Sequence, residues 1–270
     1  MWQCYATRPE LTSAVALSPI GLRDHPQITT QLASFERHEF LPVLIAAVVA
    51  LSSGATTPKP VPQLRQSPIN LPRLSVVPNK GSFSIQLDTA PAVVSHENHT
   101  VKATWNAGAK SFLKLNSNVY NSVQFHPHAP SEHTIGGVRY PFEVHFVHQD
   151  KNKNLAVVGI LFELDPNDEP NPFLDQYLSG FSQLTKPGDK FTLDSLDPSS
   201  LDVADSNVYR YPGSLTTEPY TEGVEWSVLQ EVHTMSLSQL EAWESVIHHP
   251  NSRPVQPLNG RSVKLVAKKY

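Results

Sequence analysis

Gln124-Phe125-His126-Pro127-His128 and Phe142-Glu143-Val144-His145-Phe146-Val147-His148 decide how this chain is read. Side chains two apart on a β-strand share a face, so His126 and His128 project side by side with Gln124 next to them. The second stretch alternates apolar and polar residues, the period of a strand. It sets Glu143 and His145 on one face and Phe142, Val144 and Phe146 on the other. Two such strands side by side bring three imidazoles and a carboxylate to one point. Three neutral imidazoles with a fourth position open form the ligand set of a catalytic zinc, whereas structural zinc sites close all four positions, usually with cysteine. Metal-bound histidines nearly always give their second ring N–H to an acceptor, and Gln124 and Glu143 can serve His126 and His145 in that way. An H-x-H pair alone is weak among twelve His, because a histidine with apolar neighbours is more often a hydrogen-bonded core residue. The paired acceptors favour the metal, and with it a hydrolytic or hydration reaction using zinc-activated water.

Outward from this pair, strands are expected around 82–87, 101–104, 122–128, 142–148, 155–164, 225–229 and 263–266. The continuous apolar run Leu155-Ala156-Val157-Val158-Gly159-Ile160-Leu161-Phe162 fits a central strand buried on both faces. Helices are expected near 172–184 and 238–247, the second opened by a Ser238/Glu241 capping box. The 24 prolines are spread widely and argue against a helical bundle. At 270 residues the chain is long enough for one large core. A net charge of −4, with Lys and Arg scattered, excludes nucleic acid or an anionic membrane as the principal partner. No sequence feature points to a protein partner.

Further blocks extend the pattern. Gln124 to Thr134 reads Gln-Phe-His-Pro-His-Ala-Pro-Ser-Glu-His-Thr and continues to Tyr140-Pro141-Phe142-Glu143-Val144-His145. Gln66-Ser67-Pro68-Ile69-Asn70 lies upstream, with Tyr211-Pro212-Gly213-Ser214-Leu215-Thr216-Thr217 and Asn251-Ser252-Arg253-Pro254-Val255-Gln256-Pro257-Leu258-Asn259-Gly260-Arg261 downstream. From about Gln63 to Arg261 the chain resembles the α-class carbonic anhydrases. The resemblance implies a mostly β fold with peripheral helices, built on a large, mainly antiparallel twisted sheet in a single domain over 63–270. It implies reversible hydration of CO2 to bicarbonate and a proton by zinc-bound hydroxide, a zinc lyase activity with Zn2+ as cofactor.

Carried over position by position, the resemblance implies that His126, His128 and His145 bind zinc. Gln124 and Glu143 would hold His126 and His145, and the backbone carbonyl of Asn251 would hold His128. Thr216 would accept from the hydroxide and donate to Glu132, turning a hydroxide lone pair toward the substrate. Val123, Val147, Val157, Leu215, Thr217 and Trp226 would line the substrate pocket. Proton export needs a base that titrates near neutral pH, which points to histidine. Asn98-His99-Thr100 aligns with the family's shuttle segment, so His99 is the candidate, with His96 able to assist. Asn98-His99-Thr100 is also a glycosylation sequon, and a glycan would crowd the rim, so the unmodified state is expected. Glu218-Pro219 stands where the family has Pro-Pro, and a cis bond is expected there.

Residues 1–62 do not follow the family, whose aromatic-rich leading segment is missing. They carry an apolar run from Leu41 to Leu51, then Ser52-Ser53-Gly54-Ala55 and a Thr/Pro stretch. That run is too short to span a bilayer but suits a secretory signal with a small-residue cleavage zone over 41–55. It starts late, so the expectation is a wrongly assigned start or a missing exon, and a secreted or extracellular protein. Cys4 is the only cysteine, which rules out an intrachain disulfide; by the resemblance, secreted relatives commonly have a paired cysteine where Tyr220 stands. Two other readings compete: a catalytically silent relative acting as a binding module, and a different β-fold metal protein such as a cupin. The first is weakened by the retention of all three histidines and kept open by the missing leading segment. The second does not need Thr216, Glu132 or the flanking blocks.

Overall fold

The computed structural model describes residues 63–78, 83–105 and 108–268. The signal-like segment 41–55 and Cys4 lie outside them. In chain order the strands are β1 (Asn70–Leu71), β2 (Val76–Val77), β3 (Phe83–Gln86), β4 (Ala90–His96), β5 (Val101–Trp105), β6 (Phe112–Leu115), β7 (Asn118–His128) and β8 (Thr134–Ile135). They continue with β9 (Val138–Arg139), β10 (Phe142–Gln149), β11 (Leu155–Leu164), β12 (Lys190–Leu196), β13 (Val208–Ser214), β14 (Glu222–Met235) and β15 (Lys264–Val266). Among the described residues there are two α-helices, α1 (Pro172–Leu178) and α2 (Leu237–Glu244).

Twelve strands form one sheet whose main path runs β12-β4-β5-β7-β10-β11-β14-β13-β15-β2, with the β3–β6 hairpin joined to β7. Most pairings are antiparallel, as expected; β11–β14 and β15–β2 are parallel. The two histidine strands are therefore neighbours in mid-sheet, where both edges are paired and the backbone is held firmly.

Alternation sorts the side chains. Phe142, Val144 and Phe146 of β10 enter the larger apolar cluster with Phe125 of β7, leaving His145 and Glu143 on the opposite face. On β11, Ala156, Val158, Ile160 and Phe162 join that cluster, while Val157 and Leu161 pack with Tyr209, Tyr211 and Trp226 on the other side. This strand is buried on both faces, as its continuous apolar run requires.

Two helix expectations are corrected. Helix α1 stops at Leu178, and a separate 3-10 turn covers Phe181–Gln183. Between them Gly180 sits against the Phe191 ring, where a Cβ would lie 2.6 Å from Cε2. Helix α2 is capped by Ser236, not Ser238: the Ser236 hydroxyl accepts from the Gln239 N–H, and Gln239 returns its side chain to the Ser236 N–H. The capping box exists, two residues earlier than expected, because the extended backbone at Ser236 ends β14 and turns directly into the helix. The Glu218–Pro219 bond is cis, as expected.

Candidate metal centre

Antiparallel pairing of β7 and β10 sets His145 opposite His126 and Glu143 opposite His128. The ring centroids of His126, His128 and His145 are separated by 5.1, 5.6 and 4.6 Å. One nitrogen from each ring lies within 4.8 Å of the other two. In each ring the second nitrogen is already engaged. His126 Nδ1 donates to Gln124 Oε1 at 2.9 Å, His128 Nδ1 to the Asn251 carbonyl at 3.0 Å, and His145 Nε2 to Glu143 Oε1 at 2.8 Å. An amide or backbone carbonyl oxygen can only accept, so Gln124 and Asn251 fix the tautomers of His126 and His128, as the Glu143 carboxylate does for His145. The free lone pairs are thus on Nε2 of His126, Nε2 of His128 and Nδ1 of His145.

His128 Nε2 is buried without any hydrogen-bond partner. A buried polar atom left so costs about 1–3 kcal/mol, which a cation taking its lone pair would offset. Burial, reinforced by the neighbouring imidazoles, holds the His126 pKa well below its ordinary value; burial likewise lowers that of His128 against the pull of Glu132. Both rings are thereby kept neutral, as metal ligands must be. Burial also works against protonation of His145, but the Glu143 charge and hydrogen bond outweigh it and raise its pKa. The three donors fit Zn2+: all nitrogen, convergent, and oriented by outer acceptors.

Glu143 is the hub beneath the site. Its Oε2 accepts the backbone N–H groups of Glu132 and His133, each at 2.8 Å. Its Oε1 accepts from His145 and, at 2.7 Å, from His133 Nδ1. Burial alone would raise the Glu143 pKa, but the facing imidazoles of His133 and His145 hold it well below the carboxylate range. His133 Nε2 lies 2.6 Å from the Tyr211 hydroxyl, which lies 2.9 Å from Ser67 Oγ. Sequence reasoning missed the parts played by His133, Tyr211 and Ser67, although all three stand in the quoted blocks.

A cavity of about 280 Å3 opens over the imidazoles, lined by Gln124, His126, His145, Val147, Leu155, Val157, Leu215, Thr216, Thr217 and Trp226. Val147, Val157, Leu215, Thr217 and Trp226 of the expected wall line it, and Val123 does not. The pairing skips from Val147–Gln124 to His148–Ser122, so Val123 is the extra residue of a β-bulge and is 42% exposed. Leu155, at the start of the central strand, takes a place in the wall that sequence reasoning did not assign. A larger cleft of about 540 Å3, between Ala129-Pro130 and Ile247–Pro250, contains none of the three imidazoles and is not the metal centre.

Thr216 is buried in the cavity wall, yet the hydrogen bond expected from it to Glu132 is not formed. Glu132 Oε1 accepts the Arg253 backbone N–H at 2.8 Å; Oε2 is buried without a hydrogen-bond partner, 3.8 Å from His145 Nδ1. His99 is exposed on the turn between β4 and β5, its ring 5.5 Å from that of His249. Its carbonyl accepts from Asn251 Nδ2 at 3.0 Å, which ties the turn to the residue holding His128. His96 does not share that exposure: it ends β4 and is only 7% exposed. Asn98 is exposed beside His99.

A family model for eukaryotic-type carbonic anhydrases matches residues 56–267. The chain belongs to the α-class carbonic anhydrase family. It is 38% identical over 204 residues to alpha carbonic anhydrase 4 of Arabidopsis thaliana, covering 73% of each protein. Against the carbonic anhydrase of Pectobacterium carotovorum it is 34% identical over 202 residues, 73% of this chain and 78% of that one. The solved α-carbonic anhydrase of Thermovibrio ammonificans, in complex with sulfanilamide, superposes with a TM-score of 0.65 at 38% identity, over 74% of this chain and 86% of that one. The α-class fold and the three-imidazole centre thus occur in the same molecule.

Proposed function

We propose that this α-class protein catalyses the reversible hydration of CO2 to bicarbonate and a proton, with Zn2+ held by His126, His128 and His145. The observation that carries this reading is the convergence of three oriented ring nitrogens, one of them the buried and unpartnered Nε2 of His128. Zinc held by three neutral imidazoles supplies a Lewis acid that lowers the pKa of water to about 7, a value for which carbonic anhydrase is itself the standard case.

The protein's own residues would do the rest. Val147, Val157, Leu215 and Trp226 offer an apolar wall suited to a small uncharged substrate such as CO2. The Trp226 indole N–H is already committed to the Ser214 carbonyl at 2.9 Å, so it presents carbon, not a donor, to the cavity. Thr216, donating to the spare Glu132 oxygen, would have only acceptor capacity left for the nucleophile and would thereby orient it. His99, exposed in the β4–β5 turn, would pass the proton to bulk solvent. A silent binding module is not favoured, because no ligand is lost and every outer acceptor is in place.

Stopped-flow CO2 hydration on purified, zinc-assayed protein tests the reading. Fast hydration with about one zinc per chain is expected, the count a single three-histidine site sets. Stoichiometric zinc without hydration would overturn it.

A further inference from the structure

Tyr220 is the sole aromatic residue among the described residues with a left-handed backbone, at φ 59°. An L-residue in that region gives up about 1–2 kcal/mol, and glycine or asparagine normally takes such a place. Strain of this kind persists only where surrounding contacts enforce it, and it gathers at functional sites. Arg253 packs on this residue, its guanidinium carbon 3.7 Å from the centroid of the Tyr220 ring.

Arg253 reaches two parts of the centre at once. Its backbone N–H donates to Glu132 Oε1 at 2.8 Å, and its side chain stacks on Tyr220. Nη1 also donates to Gln66 Oε1 at 2.9 Å and to the Ser67 carbonyl at 2.6 Å. Gln66 Nε2 in turn donates to the Tyr220 carbonyl at 3.2 Å and to Glu222 Oε1 at 3.1 Å. Tyr220 closes the loop that carries Thr216: its N–H donates to the Thr217 carbonyl at 2.8 Å, and the Leu215 N–H donates to the Thr221 carbonyl at 2.9 Å. One arginine therefore spans the distance between Glu132 and the Thr216 loop, with the Tyr220 ring as its contact on the loop side.

We infer that the Tyr220–Arg253 stack is a positioning device that ties the Thr216 loop to the same arginine that holds Glu132, so that the Thr216 hydroxyl is aimed during CO2 hydration. This deepens the proposed function and rests on it. A purely stabilising stack is the rival, and glycine at position 220 separates the two. Tyr220→Gly relieves the backbone strain while removing the ring, so folding stability is largely conserved. Aim is not conserved, and small misplacements at a reacting centre reduce rates by roughly ten- to a hundredfold.

The experiment measures CO2 hydration, zinc content and thermal midpoint on the parent, Tyr220→Gly, Tyr220→Asn and Tyr220→Phe. Asparagine tolerates the left-handed region and serves if the glycine variant fails to fold. The glycine and asparagine variants are expected to keep about one zinc and a midpoint close to the parent's, with kcat for hydration down at least tenfold; Tyr220→Phe restores the rate. Parent-like rates without the ring overturn the proposal, as does a phenylalanine variant as slow as glycine. Zinc or midpoint falling in step with the rate overturns it in favour of a structural role. A zinc-loaded parent that does not hydrate CO2 overturns the underlying reading and this proposal with it.

Discussion

Glu143 shows how one side chain sets the character of the centre. A carboxylate can satisfy four donors with two oxygens, and Glu143 does so for two backbone N–H groups and two imidazoles. Glutamine cannot: its NH2 would face at least one N–H across hydrogen-bond distance. Glu143→Gln is therefore expected to loosen zinc by 10- to 100-fold, the usual scale for an outer partner of a metal-bound histidine, as read by competition with a chromogenic chelator. Thr216 acts on the rate, not on the metal. Thr216→Ala should keep its zinc and slow CO2 hydration by about a hundredfold, the scale for loss of one aimed polar group at a reacting centre. Unchanged hydration would remove Thr216 from the mechanism. Local residues such as these were legible because a strand's period of two places Gln124 beside His126 and Glu143 beside His145. The Arg253–Glu132 hydrogen bond, between residues 121 positions apart, has no such signature.

Among the elements, those carrying the ligands were the easiest to read and the supporting strands the hardest. Strand β11 spans Leu155–Leu164 as expected, because burial on both faces leaves an unbroken apolar run. Among strands of four or more residues, β4, β6, β12 and β13 were not anticipated, nor were the two-residue strands β1, β2, β8 and β9. β4 carries Pro91 and β13 carries Pro212-Gly213, residues that locally signal turns. In β4 the proline lies exposed near the strand's start, and in β13 Gly213 lets the chain pass closely over Trp226 Cδ1, where a Cβ would stand at 2.7 Å. Tertiary pairing overrides propensity in both. The register of α2 was misplaced for the opposite reason: Ser236 and Ser238 are both plausible caps, and only the course of β14 chooses between them. Ser236→Ala is expected to cost about 1 kcal/mol, measured as a lowered urea midpoint with an unchanged m-value, because it removes the acceptor for the Gln239 N–H. Ser238→Ala, the comparison, should cost less.

At the scale of the whole molecule, buried histidines make stability depend on pH. His148 is fully buried on β10, its Nδ1 donating to the Phe146 carbonyl at 2.9 Å. Burial depresses its pKa from 6.5 to about 4, against backbone hydrogen bonds that work the other way. Between about pH 6.5 and 4 the unfolded chain therefore takes up a proton that the folded chain refuses. Stability contributed by neutral His148 is fully present above the unfolded value, declines as pH falls, and levels off below about pH 4. The slope for one proton is about 1.4 kcal/mol per pH unit, so the full loss is on the order of 3 kcal/mol. His126, His128 and His233 are also depressed by burial and act in the same sense, whereas the raised pKa of His145 acts in the opposite one. The contribution of His148 is isolated by difference. Urea unfolding of the parent and of His148→Gln, both stripped of zinc by chelator, should give free energies whose pH slopes differ by close to one proton between pH 6 and 4.5. The glutamine variant should have the shallower slope even if it is less stable at pH 7. Parallel slopes would mean that His148 gains access to solvent or a partner in the folded chain, contrary to its placement among the core side chains of β10 and β11.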